Sequence, residues 1–258
     1  MRYKIILSYI GKNFCGWQIQ NNAPSIQGEL NRALSLLLGK PISVTGAGRT
    51  DSGVNAINYT AHFETEEPIT KFDSTTITYK INAIVHKDIV IHSFSKAEDE
   101  FHARYDAKER EYHYFIHLKK DPFIDSFSYK YHHAVDIKKM NEAATYLLGE
   151  NDFSCFEKTG GNNKTSICKI FEAKWEYYCP THVKLMNYEY DEGDYIVFKI
   201  RGNRFLRDMV RAIVGTLLDI GRGRHEAEWI KELIEKGNRG DSGDSVPGKA
   251  LFFCGAKY

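Results

Sequence analysis

The 258 residues carry 35 basic and 34 acidic side chains, a net charge of +1, with 42% hydrophobic and 27% charged residues. That balance excludes a disordered chain, and no apolar run reaches the roughly 20 residues needed to cross a membrane. At roughly 150 residues per domain the length allows one large domain or two small ones, and the near-zero total makes local clustering of charge the place to look for a polyanionic partner.

The N-terminus, MRYKIILSYIGKNF, has one short apolar stretch and no small-residue cleavage site. It reads as a first strand, with cytoplasmic residence as the default expectation. The loop NFCGWQIQNNAP follows. SIQGELNRALSLLLGK then places Ile26, Leu30, Ala33, Leu34, Leu37 and Leu38 on a helical stripe, with Ser25 to cap its start and Gly39 to end it. PISVTG reads as a short strand, followed by a Gly-rich loop and an extended segment through NYTAHFETE. A helix is expected between Lys71 and Ala83, then strands in DIVIHSFSKA and REYHYFIHLKK.

The second half repeats the theme. DIKKMNEAATYLLGEN is helical, capped by Asp136, with Ile137, Met140, Ala144, Leu147 and Leu148 on one face. SICKIFEAKWEYY and GDYIVFKIRG alternate as strands. NRFLRDMVRAIVGTLLDIG reads as the strongest helix from Asn203 onward, EAEWIKELIEKG as a shorter one and ALFFCGAKY as a last strand. GGNNKT and GNRGDSGDSVPG read as polar surface loops. Strands beside strands with helices between the groups imply an α+β fold with a largely antiparallel sheet, in two halves, 1–106 and 107–258.

Metal and disulfide chemistry find little support. The five cysteines, Cys15, Cys155, Cys168, Cys179 and Cys254, are odd in number and widely spaced, with no CxxC pair. His113 and His117 sit four apart in an alternating strand, and His132 and His133 point to opposite faces if extended. Free thiols and no metal site are the expectation.

The loop GAGRTDSGVNA, Gly46 to Ala56, is the unusual element, with three glycines around Arg49 and Asp51. A P-loop needs GxxxxGK[ST], which is absent, and in a dinucleotide loop Asp51 would stand where the third glycine belongs. A tight turn with Arg49 and Asp51 paired to each other or to nearby backbone accounts for the composition. It does not explain why Gly48 and Gly53 bracket the charged pair, as if something bulky approached the backbone. The remaining reading makes Asp51 a nucleophile or base, kept ionised by a nearby arginine.

These residues resemble a known family. GAGRTDSGVNA looks like the signature loop of the TruA-type tRNA pseudouridine synthases, in which a G-R-T-D-x-G-V element carries a nucleophilic aspartate. FCGWQIQ (Phe14 to Gln20), FHARYDAKEREYHYFI (Phe101 to Ile116), LLGENDFSCF (Leu147 to Phe156) and FLRDMVRAIVG (Phe205 to Gly215) are similar to further family blocks, in the same order. Asn55 departs from the pattern, which usually has histidine after G-V.

The resemblance implies a pseudouridine synthase fold: two ferredoxin-like α/β halves forming a largely antiparallel mixed sheet with a central active-site cleft. The first half would carry the Asp51 loop, the second the tyrosine strand and basic helix. The implied enzyme is an isomerase converting uridine to pseudouridine in the anticodon stem-loop of tRNA, at positions 38–40, without cofactor or metal. Asp51 would be the nucleophile. Tyr112 would stack on the detached uracil and assist at C5, although Tyr114 lies on the same side of the strand and pattern alone does not separate the two. Arg211 would face the catalytic carboxylate. Arg49 would help draw the target nucleotide out of the stack, as chemistry on a base requires. Arg204 and Arg207, expected on one helical face with Arg211, would meet phosphates. The partner would be tRNA, bound by a homodimer with no membrane association. The alternatives are a synthase aimed at another RNA uridine, a non-catalytic RNA-binding protein of the same fold, or an unrelated nucleotide-binding enzyme.

Overall fold

A computed structural model describes residues 1–160 and 164–258; the centre of the expected GGNNKT loop lies outside the described residues. In chain order the elements are β1 (Arg2–Tyr9), α1 (Ile26–Leu38), β2 (Thr45–Gly46), β3 (Asn55–Glu64), α2 (Ser74–Asn82), β4 (Ile89–Lys96), β5 (Glu109–His117), β6 (Tyr129–Lys130), α3 (Ile137–Thr145), β7 (Gly149–Asp152), β8 (Ile167–Tyr177), α4 (Thr181–Met186), β9 (Tyr195–Gly202), α5 (Met209–Gly221), α6 (Trp229–Lys236) and β10 (Leu251–Lys257). The fold is α+β with largely antiparallel pairing, as the pattern implied. No described helix is long and apolar enough to cross a membrane.

The chain divides into two units, Met1–Arg110 with Phe252–Tyr258, and Glu111–Leu251. The C-terminal strand therefore belongs with the first unit, not with the second half as its place in the sequence suggested. The reason is backbone pairing: Phe252 and Phe253 of β10 run parallel to Asn55 and Ala56 of β3.

In the first unit the strand order is β4-β1-β3-β10, with β2 paired to β3. β1 is antiparallel to both neighbours, and its residues alternate strictly between half-buried and buried. That alternation puts Tyr3, Ile5, Leu7 and Tyr9 into the core. Ser25 caps α1 by accepting the Gly28 N–H, and Gly39 ends it in the left-handed conformation. Asp73 caps α2. The amide of Asn82 then bonds both backbone groups of Ile91, locking α2 to β4.

In the second unit the order is β5-β9-β8-β7, with β6 parallel to β5. Asp136 caps α3 through two backbone N–H groups. The expected helical face ends early: Leu147 is buried just past the helix, but Leu148 is exposed. Asn141 of α3 bonds the backbone of Trp175 at 2.7 and 3.1 Å, tying the helix to β8. Helix α5 is buried along almost its whole length, as a helix apolar on nearly every side must be.

α5 begins at Met209, later than the sequence suggested. Asn203 continues the sheet pairing by exchanging bonds with Lys169 at 2.8 and 2.9 Å. Asp208 then takes a left-handed φ of 64° at the N-cap. Arg204 and Arg207 thus lie on an irregular segment and share no helical face with Arg211.

His62 of β3 gives the first unit a pH dependence. It is 4% exposed, and its Nδ1 accepts the Ala103 N–H at 3.1 Å. Burial first, then the charges of His102 and Arg2, push its pKa down to about 4. A histidine protonating at about 6.5 in the unfolded chain contributes stability that is complete above that pH and is lost as pH falls towards 4. Urea unfolding at pH 7 and pH 4.5 should show a larger loss for the wild type than for His62→Gln. Equal losses would remove His62 as the source.

Candidate active site

The Gly-rich loop is held by segments that lie far from it in the chain but within the same unit. Thr50 is buried, its hydroxyl 2.8 Å from that of Tyr9 and its carbonyl accepting the Trp17 N–H at 3.1 Å. Gly16, at φ 87°, passes so close beneath that a Cβ there would stand 2.3 Å from the Thr50 oxygen. Gly11 is similar, with Val54 O 2.2 Å from where its Cβ would be. Asp51 is half-buried, and its carbonyl closes a turn onto the Val54 N–H at 3.2 Å. Gly53, at φ 77°, makes that turn possible.

The other glycines divide. Gly46 is crowded by Trp17 and Tyr59, whose rings stack at 4.4 Å. Gly48 faces open space. Its backbone is nevertheless fixed, because the Tyr59 hydroxyl bonds both its N–H and its carbonyl. Arg110 adds a further clamp on the Ala47 carbonyl at 3.3 Å. FCGWQIQ and the FHARYDAKER stretch therefore converge on the Asp51 loop.

Two residues of this loop find their partners outside it. The exposed Arg49 donates to Gln18 at 3.2 Å. Asn55 is 2% exposed, and its Oδ1 accepts the Gly11 N–H at 3.0 Å. The amide at this position thus serves the packing beneath the loop.

In the second unit, Tyr112 of β5 is 8% exposed, with its ring edge-on to Phe205 at 5.2 Å. The structure separates it from Tyr114. That side chain is fully buried and donates its hydroxyl to the Pro247 carbonyl at 2.9 Å. Burial pushes the Tyr114 hydroxyl far above the ordinary tyrosine range, which makes it a core residue.

Arg211, in the first turn of α5, is anchored on two sides. Its Nη1 lies 2.7 Å from Oδ1 of the buried Asp208, and its Nε donates to the Val246 carbonyl at 2.6 Å. Asp208 also accepts from Ser245, and Arg239 lies 3.9 Å away. The segment GNRGDSGDSVPG is an irregular polar loop, as expected, with Gly243 and Val246 buried. Gly243 is buried against Thr216, bonding its hydroxyl at 2.9 Å, and a Cβ on Gly215 would stand 1.8 Å from the Asp244 carbonyl. Asp208, Ser245 and Arg239 went unnoticed in the sequence because their shared contact spans more than thirty positions. Arg204 donates to the Thr165 carbonyl at 3.1 Å, and Arg207 is exposed. No group of three His, Cys, Asp or Glu side chains placed to hold a metal ion occurs among the described residues.

The loop geometry makes a contrast measurable. Gly16→Ala should cost about 1–3 kcal/mol of stability, because it forces a left-handed alanine into the Thr50 carbonyl. Gly48→Ala, facing open space, should change stability by less than about 1 kcal/mol. Urea unfolding of the two variants checks this, and equal costs would mean that the two segments do not approach as described.

A family model described as tRNA pseudouridine synthase matches residues 143–258. A tRNA pseudouridine synthase A of Parabacteroides distasonis is 43% identical over 257 residues, spanning 100% of this chain and 96% of that protein. Its counterpart in Bacteroides fragilis is 42% identical over 259 residues, with the same coverage. A more distant one, from Colwellia psychrerythraea, is 35% identical over 260 residues, spanning 100% of this chain and 94% of that protein. With such identity running from end to end, the chain belongs to the tRNA pseudouridine synthase A family of isomerases.

Proposed function

We propose that this chain converts uridine to pseudouridine in the anticodon stem-loop of tRNA, at positions 38–40, with Asp51 as the nucleophile. The observation that carries the reading is the Asp51 loop. The segment leading into the carboxylate is gripped at Thr50 by Tyr9 and Trp17 and at the Gly48 backbone by Tyr59, while the space beside the Gly48 α-carbon stays open. A surface turn needs no such support; a carboxylate that must meet a substrate atom in a set geometry does.

The reaction is an exchange of bonds at one sugar carbon. The C1′–N1 bond breaks, the uracil turns, C5 bonds to C1′, the C5 proton leaves and N1 gains a proton. No electrons are gained or lost, and an ionised carboxylate serves both as attacking and as leaving group. Tyr112 supplies a ring for the detached base, and its hydroxyl assists removal of the C5 proton, passing its own proton on as it accepts that one. Arg211 keeps the nucleophile ionised. Five N–H donors are enough for its anchoring to Asp208 and Val246 together with a second carboxylate. Arg49 contacts the phosphate of the flipped nucleotide, and Arg204 and Arg207 meet neighbouring phosphates.

The enzyme acts as a cytoplasmic homodimer, one subunit holding the tRNA body while the other performs the chemistry. The burial of Asn55 against Gly11 favours a catalytic protein over a binding-only relative, since the departure from histidine falls on scaffold.

Mapping pseudouridine by chemical labelling after incubation with an unmodified tRNA transcript tests this directly. Asp51→Asn should lower turnover by roughly a thousandfold or more while the Kd for tRNA stays within about twofold; retained turnover removes the nucleophile assignment. Tyr112→Phe keeps the ring and loses the hydroxyl. Its kcat should fall by about a hundredfold or more with the Kd unchanged, and full activity would limit the residue to stacking.

A further inference from the structure

Phe171 is a large aromatic residue on the exposed face of β8. In that strand Cys168 and Ile170 point into the core, while Ile167 and Lys169 are exposed. The alternation then breaks, with Phe171 and Glu172 both exposed. The break has a structural cause: Ile170 pairs with Gly202 and Glu172 with Arg201, so Phe171 is an extra residue opposite no partner. Such a bulge re-aims a side chain, and here it brings Glu172 out to solvent beside the Phe171 ring, which lies on the same exposed face as Ile167 and Lys169.

A single exposed phenylalanine needs no explanation. This one has cationic company. The Lys169 Nζ and the Arg201 guanidinium each lie 5.9 Å from the ring centroid, at the outer edge of cation–π range. The surrounding surface is stitched together by backbone contacts. Asn203 bonds Lys169, Arg204 bonds Thr165, and the Arg207 carbonyl accepts the Lys158 N–H at 3.0 Å. Lys158, Lys169, Arg201, Arg204 and Arg207 thus gather on one side of the unit. Of the nearby carboxylates, Glu172 pairs with Arg201 at 3.4 Å. Phe205 links this surface to Tyr112: its ring meets the tyrosine and lies 3.2 Å from where a Gly202 Cβ would stand.

We propose that Phe171 is a stacking platform for an unpaired base of the RNA beside the target nucleotide, with Lys169, Arg201 and Arg207 on the flanking phosphates. An aromatic ring flanked by cations is the chemistry that single-stranded RNA selects, since every base offers a π-face and every linkage a negative charge. Neither cation sits close enough to cover the ring, so a base displaces it at small cost. The proposal rests on the reading of this chain as a tRNA-modifying enzyme.

Binding by fluorescence anisotropy, with a labelled anticodon stem-loop hairpin and a full unmodified tRNA transcript, tests the platform separately from turnover. Phe171→Ala should weaken both roughly tenfold, raise KM with kcat little changed, and leave the salt slope of log K unaltered. Phe171→Trp should restore affinity. Lys169→Ala with Arg201→Ala should instead flatten the salt slope by about 0.7 per lost phosphate contact. Because the ring is exposed, Phe171→Ala should keep the thermal midpoint of the wild type. Unchanged RNA affinity in Phe171→Ala overturns the platform. So does a loss of affinity that tryptophan fails to rescue, or a shift to monomers on gel filtration, which would assign the ring to a protein interface. If the wild type binds the hairpin through Phe171 but forms no pseudouridine, the platform stands and the catalytic reading fails.

Discussion

The first unit is organised around the grip on one peptide, that between Thr50 and Asp51. The Thr50 carbonyl accepts from Trp17, its hydroxyl meets Tyr9, and Gly16 runs beneath it too closely for any side chain. A carboxylate on a free loop would sample many positions, and catalytic geometry tolerates little such freedom. Here the ordering entropy is met by the fold, through strands and an aromatic cluster that exist for the core in any case. Tyr59 shows the economy: its ring stacks on Trp17 in the core while its hydroxyl fixes Gly48.

The second unit solves a different problem, the presentation of a positive charge. Arg211 rises from the first turn of a buried helix, and a guanidinium there needs a counter-charge and an orientation. Asp208 provides the first and the Val246 carbonyl helps provide the second. The left-handed backbone at Asp208 is the local cost of placing that carboxylate. The tightly packed segment after Arg239 holds the arrangement from the far side. An ion pair with a buried carboxylate and a hydrogen bond to a backbone carbonyl give the guanidinium little rotational freedom.

Charge distribution reconciles a chain of net charge +1 with a polyanionic substrate. Association with RNA depends on local potential, not on the sum over the surface. The cations gathered around Phe171 supply such a region, and they come from β8, β9 and the segments beside them, so no single stretch of sequence contains the patch.

Local order in the chain settled much of this. Strand and helix periods, the caps Ser25 and Asp136, and the terminating Gly39 are decided by neighbours within a few residues, and all are visible in the pattern. The family blocks, each short and contiguous, were legible for the same reason and pointed to Asp51, Tyr112 and Arg211. What only the tertiary structure decided depends on contacts between distant positions. It gave the C-terminal strand to the first unit, because parallel pairing with β3 has no local signature. It delayed α5 to Met209, because Asn203 is claimed by the sheet and Asp208 by Ser245. It separated Tyr112 from Tyr114, since identical residues two apart on a strand differ only in what packs against them. Periodicity records which way a side chain points; its partner at the other end of that direction is chosen by the fold.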